Sequence, residues 1–270
     1  MFDATVAAAK ISEPIAMLPR GAAPAFVGLN GAQGAGKSTL VQLIAADLEN
    51  RGLRCVILSL DDFYLTRAER EELALAVHPM CATRGVPGTH DVSLLKATLA
   101  SLADGGQTAL PRFDKLADDR LSRNDWPNVT GQVDVVILEG WCVGLLSDDV
   151  PAWSGPINQI EAECDPAGVW FAWSRAALQR DYDRLWRRLD LLASIEVPDW
   201  ESVVDSRLRQ EREAAAATGR SGMERADVAQ FVQYYERYTR ALWSAMPQRA
   251  DILLRRNSAF AYSLARTPNI

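Results

Sequence analysis

The segment Gly31-Ala-Gln-Gly-Ala-Gly-Lys-Ser38 meets every fixed position of the pattern G-x-x-x-x-G-K-[ST]. A loop of this kind needs a strand before it and a helix after it. Backbone N–H groups of Gly31, Ala32, Gln33, Gly34, Ala35 and Gly36 then turn inward around a phosphate, and the helix N-terminus adds positive potential. Lys37 is placed to reach the β- and γ-phosphates, Ser38 to bind Mg²⁺, and Thr39 to continue the cradle. The flanks agree. Ala25-Phe-Val-Gly-Leu29 is a short apolar run suited to a buried strand, and Leu40, Leu43, Ile44 and Leu48 recur at helical spacing after the loop. The chain is therefore expected to bind a nucleoside triphosphate.

Composition narrows the class only slightly. At 270 residues the chain suits one large α/β domain, and a single domain spanning 1–270 is expected. A net charge of -6 opposes a general nucleic-acid or anionic-membrane binder. The cysteines Cys55, Cys81, Cys142 and Cys164 are scattered, with no C-x-x-C pair and only two histidines in the chain, so neither a zinc site nor a disulfide framework is expected. Near the N-terminus, Lys10 and Glu13 interrupt the apolar run, so no signal peptide or membrane span is read there and a cytoplasmic location is expected.

Residues 1–22 read as a helical extension leading to the first strand. Cys55-Val-Ile-Leu-Ser-Leu60 and Val133-Asp-Val-Val-Ile-Leu138 read as further strands, ending in Asp61-Asp62 and Glu139. Helices are expected at about 66–77, 91–103, 173–188, 200–217 and 224–245, with either Asp91 or Ser93 capping the second of these. Leu191–Val197 and Asp251–Leu254 are strand-like, and the Pro- and Gly-containing stretch from His78 to His90 is a shaped loop. Alternating strands and helices predict a P-loop NTPase fold: α/β, with a doubly wound, mainly parallel sheet flanked by helices and a helical lid.

The strand ends indicate which P-loop chemistry is present. The N-K-x-D motif of GTPases and the L-S-G-G-Q signature of ABC transporters are absent, and the third strand ends in Leu138-Glu139-Gly140 rather than Asp-Glu. Ligands in such sheets lie beyond the carboxyl ends of the strands, where Asp61, Asp62 and Glu139 fall. A carboxylate there can orient an acceptor hydroxyl and accept its proton during phosphoryl transfer. Period-two alternation favours Asp61 over Asp62 as that base, leaving Asp62 to cap the next helix or line the site. Glu139 is expected to support Mg²⁺ together with Ser38, directly or through water.

Four stretches together resemble D-glycerate 3-kinases of the plant and fungal type, within the group that includes phosphoribulokinase, uridine kinase and pantothenate kinase. They are Leu60-Asp-Asp-Phe-Tyr64, Arg84-Gly-Val-Pro-Gly-Thr-His-Asp91, Pro111-Arg-Phe-Asp-Lys115 and Leu138-Glu-Gly-Trp-Cys-Val-Gly144. The resemblance implies an ATP- and Mg²⁺-dependent kinase acting on a small hydroxylated metabolite, D-glycerate, with Asp61 as base. It also implies an acceptor pocket from Asp62, Tyr64, Arg84, His90, Asp91, Asp114, Lys115 and Arg120. Cations suit a small hydroxy acid's carboxylate, bidentate arginine best of all. The loop after Lys115 is shorter than the family's, and Val143–Val169 matches it poorly.

Kinases of this group carry a mobile, cationic lid. Here 199–223 resembles it, through Ser206-Arg-Leu-Arg-Gln-Glu-Arg212 and Gly219-Arg-Ser-Gly-Met223. Arg209 and Arg212 share a helix face, and one of them is expected to contact the transferring phosphoryl group. Two rival readings use the same residues: a related kinase for uridine, pantothenate or a sugar, and a P-loop regulatory NTPase.

Overall fold

The computed structural model describes residues 1–218 and 222–267; the Gly219–Ser221 part of the predicted lid lies outside the described residues. In chain order the strands are β1 (Ala25–Gly31), β2 (Cys55–Ser59), the two-residue β3 (Thr108–Ala109), β4 (Phe113–Asp114), β5 (Asp119–Arg120) and β6 (Asn128–Val129), then β7 (Val135–Glu139), β8 (Leu191–Glu196), β9 (Ile252–Arg256) and β10 (Tyr262–Arg266). The helices are α1 (Ala4–Met17), α2 (Lys37–Asn50), α3 (Arg67–Ala76), α4 (Val92–Ala103), α5 (Gln159–Cys164), α6 (Val169–Ala177), α7 (Asp183–Trp186), α8 (Trp200–Thr218) and α9 (Arg225–Arg249).

The central sheet runs β10-β9-β8-β1-β7-β2. β2, β7, β1, β8 and β9 are parallel, and β10 returns antiparallel at the edge. Side-chain alternation along the inner strands feeds two cores. Val136 and Leu138 of β7 pack on one face with α4, α6 and the second half of α9. Val135 and Ile137 pack on the other face with α1, α2 and the buried stripe Val203, Val204 and Leu208 of α8. The N-terminal helix belongs to this second core: Ala7, Ala8, Ile11 and Ile15 are buried, and Phe2 pairs with Tyr262 of β10.

Register makes the active end level. Leu29 and Ser59 both pair with Glu139, so β2 and β7 finish on one rung, while β1 runs on two residues against β8 to Gly31, where the P-loop begins. Beyond β2 the chain leaves extended geometry at once, in a tight 3₁₀ turn over Leu60–Phe63. Asp61 and Asp62 therefore stand on a turn rather than on an alternating strand. Thr66 and Glu69 form a capping box that starts α3. The predicted 173–188 helix begins earlier, at Val169, and is interrupted by a π-helical turn over Leu178–Tyr182.

The loops facing the P-loop hang on one buried arginine. Arg70 of α3 donates to the carbonyls of Leu65 (3.2 Å), Ala82 (2.7 Å) and Asp118 (2.7 Å), and pairs with the Asp118 carboxylate at 3.0 Å. It thereby joins the end of the β2 turn, the segment before Arg84 and the β4–β5 hairpin. Replacing it removes the donors of three partly buried carbonyls and the partner of the Asp118 carboxylate. In urea unfolding, Arg70→Met is expected to lose about 2–3 kcal/mol of stability; a loss within error of zero contradicts this role.

Candidate active site

The P-loop has the shape a phosphate requires. Gly34 (φ +71°) cannot carry a side chain, because a Cβ there lies 2.4 Å from Ser206 Cβ and 2.8 Å from the Ser206 carbonyl carbon of α8. No side chain caps the first turn of α2, whose orphan N–H groups are thus left for a ligand. Lys37 Nζ donates back to the carbonyls of Gly31 (2.9 Å) and Ala32 (3.2 Å), arching over the loop. Burial lowers the Lys37 pKa, partly opposed by the charges of Glu139 and Asp61. The buried Glu139 carboxylate accepts from Ser59 Oγ at 2.8 Å and faces Ser38 Oγ at 3.5 Å.

Across from this cradle stands Asp61. Its Oδ1 accepts the Tyr64 hydroxyl at 2.9 Å and its Oδ2 takes Lys115 Nζ at 2.6 Å. Burial pushes the Asp61 pKa upward, but the Lys115 charge, hydrogen bonds from Lys115 and Tyr64, and Lys37 outweigh it and hold the carboxyl at about 2. Lys37, Ser38, Asp61 and Glu139 share a cavity of about 140 Å³ with the cations Arg84, Lys115 and Arg207. Tyr64, Trp141, Phe231 and Tyr235 supply its aromatic walls. Arg84 is fixed by ion pairing with Asp118, by donating to the Lys115 carbonyl at 3.3 Å, and by lying over the Phe113 ring. Gly85 beside it lets the Tyr235 ring approach, since a Cβ there would sit 2.3 Å from that ring.

Other residues expected in the pocket build its walls instead. Asp62 turns away and accepts the Phe113 N–H (3.1 Å) and Arg112 (3.2 Å), anchoring the hairpin rather than capping α3. Asp91 caps α4 through the Leu94 N–H and pairs with Arg120 at 3.4 Å. Arg120 also donates to the Tyr64 carbonyl (2.8 Å), and Asp114 accepts the N–H groups of Leu116 and Ala117 in the hairpin turn. His90 is buried, stacked on Tyr64 at 4.7 Å, with Nδ1 2.8 Å from the Tyr182 hydroxyl. The Tyr182 oxygen also accepts the Gly88 N–H, so the π-helical turn positions the hydroxyl that ties this loop down.

On α8 the helix phase separates the arginines. Arg207 and Gln210 line the cavity. Arg209 lies in a neighbouring groove of about 510 Å³ on the other side of the P-loop, with Gly36, Thr39 and Tyr262. There its guanidinium stacks 4.7 Å from the Phe260 ring. Arg212 is exposed and lines neither space. Arg207, within the quoted Ser206–Arg212 stretch but not singled out beside Arg209 and Arg212, flanks the stripe Val203, Val204 and Leu208 that turns toward the sheet. Phe231 and Tyr235, at i and i+4 on α9, were also missed. Trp141 has two roles: its Nε1 donates to the Gly85 carbonyl at 3.1 Å, and it lines the cavity.

A sheet of this order, with a P-loop after its first strand and carboxylates at the next two strand ends, defines a P-loop phosphotransferase. The chain belongs to a family of ATP-dependent P-loop kinases. It is 33% identical over 226 residues to an uncharacterized kinase of Schizosaccharomyces pombe, spanning 78% of each protein. It is 28% identical over 245 residues to the chloroplastic D-glycerate 3-kinase of Arabidopsis thaliana, covering 84% of this chain and 50% of that protein. The structure of D-glycerate 3-kinase from Cryptococcus neoformans matches with a TM-score of 0.74 at 25% identity, over 97% of this chain and 98% of that one. No protein-family model matches the chain. Among the described residues no helix is long and apolar enough to cross a membrane.

His90 supplies a test of the packing around Asp61. Burial lowers its pKa from 6.5 to about 4, so the folded protein holds it neutral where the unfolded chain protonates it. Its contribution is present above pH 6.5, declines as the pH falls toward 4, and is fully lost below that, at a total of roughly 3 kcal/mol or less. His90→Phe keeps a ring on Tyr64 and removes the ionisation. Urea unfolding between neutral pH and about pH 4 is expected to show a smaller stability loss for this variant than for the wild type. Equal losses place the proton elsewhere.

Proposed function

We propose that this kinase transfers the γ-phosphoryl group of ATP to a hydroxyl of D-glycerate, giving 3-phosphoglycerate. One observation carries the reading: a P-loop lysine and an acid share a cavity of about 140 Å³ with three cations contributed by separate elements, Arg84, Lys115 and Arg207. Three cations converging on one space suit an anionic acceptor better than a neutral nucleoside. The similarity to two D-glycerate 3-kinases supports the same acceptor.

In this reading the P-loop from Gly31 to Ser38 cradles the triphosphate, and Lys37 moves from its own loop carbonyls onto the phosphate oxygens. The groove holding Arg209, Thr39 and Phe260 receives the nucleoside end, with Arg209 and Phe260 available to pack against the base. Ser38 and Glu139 would hold Mg²⁺, which supplies charge neutralisation at the phosphate oxygens. Ser59 fixes the Glu139 carboxylate for that task. The acceptor's carboxylate lies toward Arg84 and Lys115, leaving its terminal hydroxyl at Asp61. Asp61 orients that oxygen and takes its proton as the bond to phosphorus forms. Arg207 of α8 balances charge on the transferring group and helps exclude water, as the lid segment 199–223 is expected to do.

An acceptor panel of D-glycerate, glycerol, uridine and pantothenate, read by ADP release, tests the substrate; turnover of uridine or pantothenate with none of glycerate refutes it. Asp61→Asn is expected to lower kcat about 10²-fold or more while ATP still binds, as read by nucleotide titration. An unchanged kcat removes Asp61 from the reaction. Acceptor-independent ATP hydrolysis at the full turnover rate would instead favour a regulatory NTPase.

A further inference from the structure

The Lys115–Asp61 contact is not the arrangement a reacting base needs. Both Asp61 oxygens are engaged, Oδ1 by the Tyr64 hydroxyl and Oδ2 by the Lys115 ammonium. Neither contact fills a carboxylate with about four lone-pair sites, but the ammonium 2.6 Å from Oδ2 occupies the approach to that oxygen and weakens it as an acceptor for the proton of a hydroxyl or a water. Tyr64 is buried and stacked on His90, so its hydroxyl is held in place. Lys115 differs: its side chain is 61% exposed on a flexible stem. Its backbone, by contrast, is pinned. The Lys115 carbonyl accepts from Arg84, and Asp114 closes the turn through the N–H groups of Leu116 and Ala117. Only the side chain is left to swing, beside an arginine that Asp118 keeps in place.

We propose that Lys115 is an acceptor-operated latch: its ammonium covers Asp61 until the carboxylate of an anionic acceptor, seated against Arg84, draws it away and frees the carboxylate oxygen. The proposal rests on Asp61 being the base of the reading above. It adds a specificity rule and a safeguard. A neutral polyol that fits the cavity leaves the latch closed, because it offers Lys115 no charge to exchange for Asp61. Water leaves it closed as well. With the latch open, hydrolysis follows the same balance as transfer. The water oxygen bonds to the γ-phosphorus, the bond to the ADP oxygen breaks, and the water proton passes to Asp61 and on to solvent.

The experiment measures ADP release by the full chain with Mg²⁺-ATP alone, with D-glycerate and with glycerol, for wild type, Lys115→Met and Lys115→Arg. Lys115→Met is expected to raise acceptor-independent hydrolysis, on the order of 10-fold, and to shrink the ratio of glycerate to glycerol turnover. Lys115→Arg, which keeps a cation at the position, is expected to raise hydrolysis less than Lys115→Met does. A simple loss of binding or of folding lowers ADP release and does not raise it, and circular dichroism checks folding directly. Acceptor-free hydrolysis that stays level or falls in Lys115→Met overturns the latch, whatever happens to glycerate turnover. That arm uses no acceptor, so it is separable from the substrate reading, which fails only if wild-type enzyme does not turn over glycerate.

Discussion

Three parallel strands held in register at Glu139 set the position of everything else in this site. Because Leu29 of β1 and Ser59 of β2 both pair with Glu139 of β7, the P-loop, the Asp61 turn and the Glu139 carboxylate emerge side by side. The Ser59–Glu139 hydrogen bond at 2.8 Å crosses between two of those strand ends. A one-residue slip would turn Glu139 to the opposite face of the sheet. The buried alternation of Val135, Val136, Ile137 and Leu138 between two cores opposes such a slip. Burying apolar side chains on both faces thus does more than stabilise the sheet, because it fixes the polar residues at its edge to within a rung.

The opposite wall has no sheet behind it and depends on polar contacts instead. Two-residue strands such as β4 and β5 bury little surface, so the hairpin bearing Lys115 is not self-supporting. Arg70 and Asp118 supply what apolar burial cannot. Arg70 collects carbonyls from three segments, and Asp118 (φ +56°) turns its carboxylate to both Arg70 and Arg84. Asp62 adds the Phe113 N–H. The P-loop side of the cavity is therefore held mainly by packing and the facing side mainly by hydrogen bonds, which couples the geometry of that facing wall to a few charged residues.

This division also explains what could be read from the sequence. β1, β2 and β7 were legible because each is a mainly apolar run with a clear stop at Gly31, Asp61 or Glu139. The β4–β5 hairpin was not, since four residues show no periodicity. The motif Arg84–Asp91 was visible as a unit, yet only its arginine lines the cavity. Thr89, His90 and Asp91 spend their hydrogen bonds on the loop, on Tyr182 and on α4. A shared motif marks residues needed near a site without separating those that line it from those that shape it. On α8, Arg207, Arg209 and Arg212 look equivalent in one dimension; the helix phase relative to Val203, Val204 and Leu208 distinguishes them.

A carboxyl held at about 2 by a lysine is a weak base for the proton abstraction proposed for Asp61. Phosphoryl transfer relaxes that objection. Its transition state is loose, and the acceptor hydroxyl becomes strongly acidic only as its oxygen bonds to phosphorus. The carboxylate is needed for orientation first and for basicity late. A permanently basic, open carboxylate beside the γ-phosphate would serve water as well as any substrate. Covering it with a cation that an anionic acceptor can displace links basicity to occupancy. As Lys115 leaves, the largest charge holding the carboxyl down leaves with it. The low pKa of the resting site and the reactivity of the occupied one are then two states of a single ion pair.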